Sequence, residues 1–198
     1  LKLSGHHGVI RLANPMHLLG IGTHADPADL ILRSYWPSLI TAGVFLLGFL
    51  YFGIGAVRGR DRTGSLLLSL MSLFAVGQLF AEVSRGLLAY RYPLHDRRLV
   101  MIVLCSLGFG LCLAAHVIRR FKPPHPMRAF ALVALPTLAA VLWVDSFDAK
   151  ATFALLGPVL LCALGTGLRS WRREPGALAY FVSLVLFAAL SVFLGGEF

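Results

Sequence analysis

The sequence predicts an all-α, polytopic transmembrane helix bundle. Three observations carry that expectation: six apolar stretches of bilayer-spanning length, too few charges to clothe a soluble domain, and arginines gathered into alternate loops. The stretches lie near Tyr35 to Val57, Gly64 to Tyr90, Leu99 to Ile118, Ala129 to Val144, Ala151 to Leu168 and Gly176 to Gly195. Each is close to what a helix needs to cross a hydrocarbon core of about 30 Å. Of the 198 residues, 58% are hydrophobic and 14% charged, and mean hydropathy is +0.78, so lipid must supply the environment that water cannot. An outer-membrane barrel would alternate apolar and polar residues over segments of about ten. Runs such as Leu99 to Leu104 and Phe181 to Leu190 are instead apolar on every face.

Residues 1–34 are read as an extracytoplasmic segment, the end of a sensory domain, and residues 35–198 as the helix bundle. The first segment holds His6, His7, His17 and His24, with turn signals at Asn14-Pro15 and Asp26-Pro27. Its last part, Asp26 to Arg33, is expected as a short helix leading into the membrane. Tyr35 and Trp36 suit an interfacial belt, and Pro37 suits a helix start, where a missing amide hydrogen costs nothing. In the first span Thr41, Gly48 and Gly55 recur at intervals of seven and share a face. Ser65, Ser69 and Ser72 line the second span, and Cys105, Gly108, Cys112 and Ala115 line the third. Small residues let helix backbones approach, so these stripes predict packing faces in a compact bundle. Pro136 and Pro158 each remove an internal hydrogen bond and are expected to kink the fourth and fifth spans. The chain begins with Leu1 and no initiator Met, and is expected to be part of a longer protein.

The first, third and fifth loops hold Arg58, Arg60 and Arg62, then Arg119, Arg120, Lys122 and Arg128, then Arg169, Arg172 and Arg173. Only Asp61 and Glu174 oppose them. Nearly the whole formal charge of +9 falls there. Bases in short loops resist translocation, which predicts that these loops are cytoplasmic and the amino terminus outside. Arginines bordering membrane helices, without aromatic platforms or a groove-reading motif, point to anionic lipid headgroups and exclude nucleic acid as partner.

The polar group that stands out is Gln78, Glu82 and Arg85 on the second span, where spacings of four and three put all three on one face. An ionisable side chain in hydrocarbon normally turns toward protein or water, so Glu82 is expected to face inward. At about 1.5 Å per residue it lies roughly 27 Å from Gly64, near the outer boundary. Two readings stand: an interfacial Glu82–Arg85 pair that fixes helix packing, or a ligand-sensing pocket open to the outside. The following loop, Arg91 to Arg98 (RYPLHDRR), would complete such a pocket with Tyr92, His95 and Asp96, and an imidazole there would make it acid-sensitive. The alternative for that loop is a solvated turn.

No hydrolytic, zinc or phosphate-loop signature is present, and the reading assigns no catalytic residue, metal or cofactor. His116 is the only histidine well inside a span, whereas membrane haem needs facing pairs. Lys150 sits at a span boundary, away from where a buried Schiff base would form. Cys105, Cys112 and Cys162 are expected as free, buried thiols. The closing Gly195-Gly196-Glu197-Phe198 follows directly on a span and is read as a helix terminus.

Several segments together carry a resemblance. Leu18 to Arg33 (LLGIGTHADPADLILR) leads into a span and then into RGRDRTGSLLLSLMSLFAVGQLFAE. Arg91 to Arg98 and a third span ending HVIRRF follow. Over roughly residues 15 to 195 this resembles the membrane portion of bacterial seven-transmembrane receptors with diverse intracellular signalling modules. The resemblance implies a multi-pass protein of the bacterial inner membrane that couples an unknown extracytoplasmic ligand to a cytoplasmic kinase, cyclase or DNA-binding module. It also implies a seventh helix and an output domain following Phe198, and transfers no ligand residue. Homo-oligomers or other membrane subunits are the expected protein partners. The rival expectation is a non-catalytic helical subunit or scaffold of a larger membrane complex.

Overall fold

A computed structural model describes residues 27–59, 61–87 and 92–195. The amino-terminal segment with its four histidines, Arg60 and the closing Glu197-Phe198 lie outside the described residues. Six helices follow one another: α1 (Pro27–Arg58), α2 (Arg62–Leu87), α3 (Tyr92–Phe121), α4 (Pro126–Trp143), α5 (Phe147–Trp171) and α6 (Ala177–Gly195). Among the described residues there is no strand. Five of the helices are long and apolar enough to cross a membrane, and α6 is a shorter apolar helix over Ala177–Phe193. The chain has the fold of a multi-pass membrane protein.

The interior explains how such helices hold together. The largest fully buried side chains are Val159, Thr137, Thr166, Pro158 and Ser106, while Trp143, Trp171, Phe193 and Leu142 are among the most exposed. Bulk faces outward and small residues face each other. That is the arrangement expected where lipid tails are as apolar as leucine and helices associate through close approach rather than water exclusion.

Among the described residues helix α1 touches only α2, α2 also touches α3, α3 touches α4, and α5 touches α3, α4 and α6. The small-residue stripes predicted on α1 and α2 meet one another. A Cβ built on Gly48 would lie 3.2 Å from Ser72 Oγ, one on Gly53 3.5 Å from Ser69 Oγ, and one on Gly55 3.2 Å from Ser65 Oγ. Ser69 also donates across the seam to the Phe49 carbonyl at 3.0 Å. The stripe on α3 turns to α2: Cys105 packs on Gly77, and Gly108 lies under the Phe74 ring. Thr41 departs from its expected face. It is exposed and donates to the Pro37 carbonyl of its own helix at 2.8 Å.

Two boundaries differ from the sequence expectation. Helix α1 is continuous through Pro37, so the short lead-in helix and the first span are one element of 32 residues. At 1.5 Å per residue it is about 48 Å long and extends well beyond a hydrocarbon core. Residues 92–98 form no loop but the opening turns of α3, because a first turn tolerates Pro93 and leaves its amides unbonded in any case.

Helices α4 and α5 run through Pro136 and Pro158 without a break. Pro158 has no amide to offer the Ala154 carbonyl, and Gly110 of α3 fills that place: a Cβ there would come within 2.6 Å of Pro158 Cγ and 2.8 Å of Ala154 O. Around this crossing, Ala114 and Val117 of α3, Val133 of α4, Val159 and Cys162 of α5, and Leu184 of α6 make the main core. Gly110→Ala is therefore expected to lower stability by about 1–3 kcal/mol, since backbone and proline ring cannot give way. Gly165→Ala, with nothing within 4 Å of the added carbon, is expected to be neutral or stabilising by up to about 1 kcal/mol. Thermal unfolding of the two variants in one detergent checks the contrast.

Candidate functional site: polar clusters at the two ends of the bundle

The α1–α2, α3–α4 and α5–α6 turns meet at one end of the bundle. Helices α1, α3 and α5 run toward that end and carry Arg58, Arg119 with Arg120, and Arg169 in their last turns, where cations meet the negative end of the helix dipole. Arg119 Nη2 pairs with Asp61 Oδ1 at 2.7 Å, tying the end of α3 to the first turn. The Gly64 amide donates to the same carboxylate oxygen at 3.1 Å. Arg169 reaches from α5 to donate to the Phe121 carbonyl, the last of α3, at 3.1 Å. Its guanidinium lies over the Phe121 ring, 5.3 Å from the centroid, and pairs with Glu174 at 2.9 Å. One side chain thus caps α3, stacks on it and anchors the α5–α6 turn.

Beneath this layer His116 Nε2 and the Tyr180 hydroxyl are 3.2 Å apart, joining α3 to α6. His116 Nδ1 is buried without a hydrogen-bond partner, and Tyr180 meets Phe121 edge-on. The turns are closed by bases in left-handed backbone: Lys122 at φ 43° and Arg173 at φ 56°. Pro123 and Pro124 then prevent α3 from continuing. Of the nine described bases in these turns, Arg119 and Arg169 are in ion pairs. Arg58, Arg62, Arg120, Lys122, Arg128, Arg172 and Arg173 are exposed, with no ion pair among the described residues.

The opposite end brings together some of the residues singled out in the sequence. Gln78 is half-buried on α2, and His95 and Asp96 are half-buried in the first turns of α3. Glu82 is exposed rather than turned inward. The side chains of Arg85 and Tyr92 lie outside the described residues, so the proposed Glu82–Arg85 pair does too. Arg98 takes a place the sequence reading did not give it: its Nη1 donates to the Ala81 carbonyl at 3.3 Å, and it is close enough to act on Glu82 electrostatically. Two groups here are buried without a hydrogen-bond partner, the acceptor Asp96 Oδ1 and the donor Arg98 Nε.

Among the described residues no three of His, Cys, Asp and Glu gather as metal ligands would, and Cys105, Cys112 and Cys162 are free thiols. No known family model, curated protein or solved structure matches the chain.

The structure adds Asp61, Arg98, Phe121 and Tyr180 to the residues of the two polar clusters. Only Asp61 had a local signal, as a lone acid among arginines at the head of a helix. The others gain their roles from helices distant in sequence.

The Asp61 carboxyl is held below its ordinary range, first by the hydrogen bond from Arg119 and then by that from the Gly64 amide. A depressed folded value means that this carboxylate contributes stability above the unfolded value of 3.8, and that the contribution is lost as pH falls through the lower folded value. The pair is exposed, so the effect is small and screened by salt. The gap in unfolding midpoint between the parent and Asp61→Asn is expected to be constant from neutrality down to the ordinary carboxylate range, and to close only in more acid solution. A pH series of melts in low salt checks this.

Proposed function

We propose that the chain is the membrane-embedded module of a signal-transduction receptor, passing an extracytoplasmic stimulus to a cytoplasmic output domain. The observation that carries this reading is the α2–α3 pair. It is joined by an arginine of α3 at each end, Arg98 donating to the Ala81 carbonyl at one and Arg119 pairing with Asp61 at the other. Between them lies a seam of small contacts, Cys105 on Gly77 and Gly108 under Phe74. Packed interfaces of this kind hold discrete arrangements and not a continuum, and a stimulus shifts their balance only by its differential affinity for them. Asp96 Oδ1 and Arg98 Nε, buried and unpartnered in this packing, are an acceptor and a donor that a shift of α3 against α2 would bring to new partners.

In this reading the basic end is cytoplasmic, by the bias of arginine in short loops, and the amino terminus is outside, in a bacterial inner membrane. The resemblance to bacterial seven-transmembrane receptors with intracellular signalling modules supports the same assignment. A second reading, a helical subunit of a larger complex, is favoured by α1, whose spanning window has none of its residues buried. Cross-linking from exposed α1 positions to an unrelated membrane protein, with no response at the basic end, would favour it.

Spin labels at Thr63 and His125, both exposed at the basic end, test the receptor reading in a background with the three cysteines replaced by alanine. Glu82→Gln or Arg98→Gln at the far end is expected to change the relative populations of the label–label distances. A distribution identical to the parent in both variants would contradict coupling along α2 and α3.

A further inference from the structure

At the end of helix α5 come three consecutive exposed residues, Trp171, Arg172 and Arg173, with Trp171 91% exposed. The turn that presents them is fixed. The Arg173 amide donates to Ser170 O at 2.9 Å and the Glu174 amide to Arg169 O at 3.1 Å, the pattern of a helix terminus that normally places glycine at the left-handed position. Here that position is Arg173. Glu174, the acid nearest these two arginines in the chain, is held by Arg169 on the inner side of the turn. Among the described residues the two guanidinium groups are in no ion pair.

Along α5 from this turn, Leu168, Leu164 and Leu160 are all exposed. Spacings of three, four and four place them on one helical face with Trp171. An indole at headgroup level, two cations beside it and an apolar stripe running toward the bilayer centre match a phospholipid in order: glycerol region, phosphate, acyl chains. A zwitterionic headgroup brings its own ammonium to its phosphate, whereas an anionic one leaves its charge for the protein.

We propose that Trp171, Arg172 and Arg173 form a site for the phosphodiester of an anionic phospholipid whose acyl chains lie along Leu160, Leu164 and Leu168. The site requires only that the chain be embedded in a membrane and is independent of the receptor reading. The leucine stripe selects a lipid over a free anion.

Tryptophan quenching by brominated lipid tests it. In the 198-residue chain carrying Trp36→Phe and Trp143→Phe, Trp171 reports alone. In phosphatidylcholine bilayers holding a minority of phosphatidylglycerol, bromine on the phosphatidylglycerol is expected to quench several-fold more than its mole fraction predicts. Arg172→Gln with Arg173→Gln should return quenching to the mole fraction. So should salt of about 1 M, where the Debye length falls to about 3 Å, and the salt measurement stands if the double variant does not fold. A reporter at Trp143 alone, on the other end of the bundle, should show no preference. Quenching that follows mole fraction in the parent, that survives both treatments, or that is equal at Trp143 would overturn the proposal. Full reversal by soluble glycerophosphoglycerol would also overturn it, because free anion binding would then suffice.

Discussion

In hydrocarbon no water meets a peptide N–H or C=O, so each crossing segment must satisfy its backbone within itself, and the helix is the form in which a single segment can do so. That constraint sets the six elements and also removes the usual reason for them to associate. Once a helix is sheathed in leucine and phenylalanine, a neighbouring helix is no more apolar than a lipid tail. What remains is fit, and the fit here is made by serine against glycine between α1 and α2, cysteine and glycine against glycine and phenylalanine between α2 and α3, and glycine against proline between α3 and α5. The side chains that are fully buried are consequently no larger than valine, threonine and proline.

Polar side chains answer to the same constraint. Threonines 137 and 166, fully buried, bond back to carbonyls of their own helices, Val133 at 2.8 Å and Cys162 at 2.9 Å. The charged groups that join separate elements sit at the ends, where headgroups and water lower the cost of charge. At the basic end Arg169 organises the contact: it meets α3 through a carbonyl and a ring and the next turn through a carboxylate, so that α3, α5 and α6 are locked together while α1 and α2 are attached through the exposed Asp61–Arg119 pair. The attachments differ in strength, since a part-buried guanidinium with two hydrogen bonds and a ring face is worth more than a solvated ion pair. At this end, therefore, α3, α5 and α6 are joined more firmly than α2 is to α3, while farther along α2 and α3 pack closely through Gly77 and Cys105, Phe74 and Gly108.

Much of this was legible in the residues, and the rest was hidden for a physical reason. Helix positions follow from hydropathy alone, and the stripes Gly48–Gly55, Ser65–Ser72 and Cys105–Cys112 announced their faces because small residues at helical spacing have little other use in a membrane. Helix α5 has a stripe of its own, Ala154, Pro158, Cys162 and Thr166 at spacings of four, and this is the face it buries. Of these only Pro158 stands out in the sequence as a structural feature, a kink, and a stripe does not say which helices it meets, so the contact of Pro158 with Gly110 and the three neighbours of α5 stayed hidden. Arg98 and Tyr180 were equally silent, since their partners, the Ala81 carbonyl and His116, lie on other helices. RYPLHDRR reads as a loop by composition, yet a proline and charges are compatible with the first turns of a helix, where α3 begins.

The central claim is that the three basic turns share one side of a membrane and the α4–α5 turn lies on the other. Labelling with a membrane-impermeant maleimide tests it most directly, using single cysteines at Thr63, Arg173 and Lys150 in sealed vesicles of a background whose native cysteines are alanine. Thr63→Cys and Arg173→Cys should react from the same face, and Lys150→Cys only when the vesicles are inverted. Reaction of Thr63→Cys and Arg173→Cys from opposite faces would contradict the arrangement of helices described here.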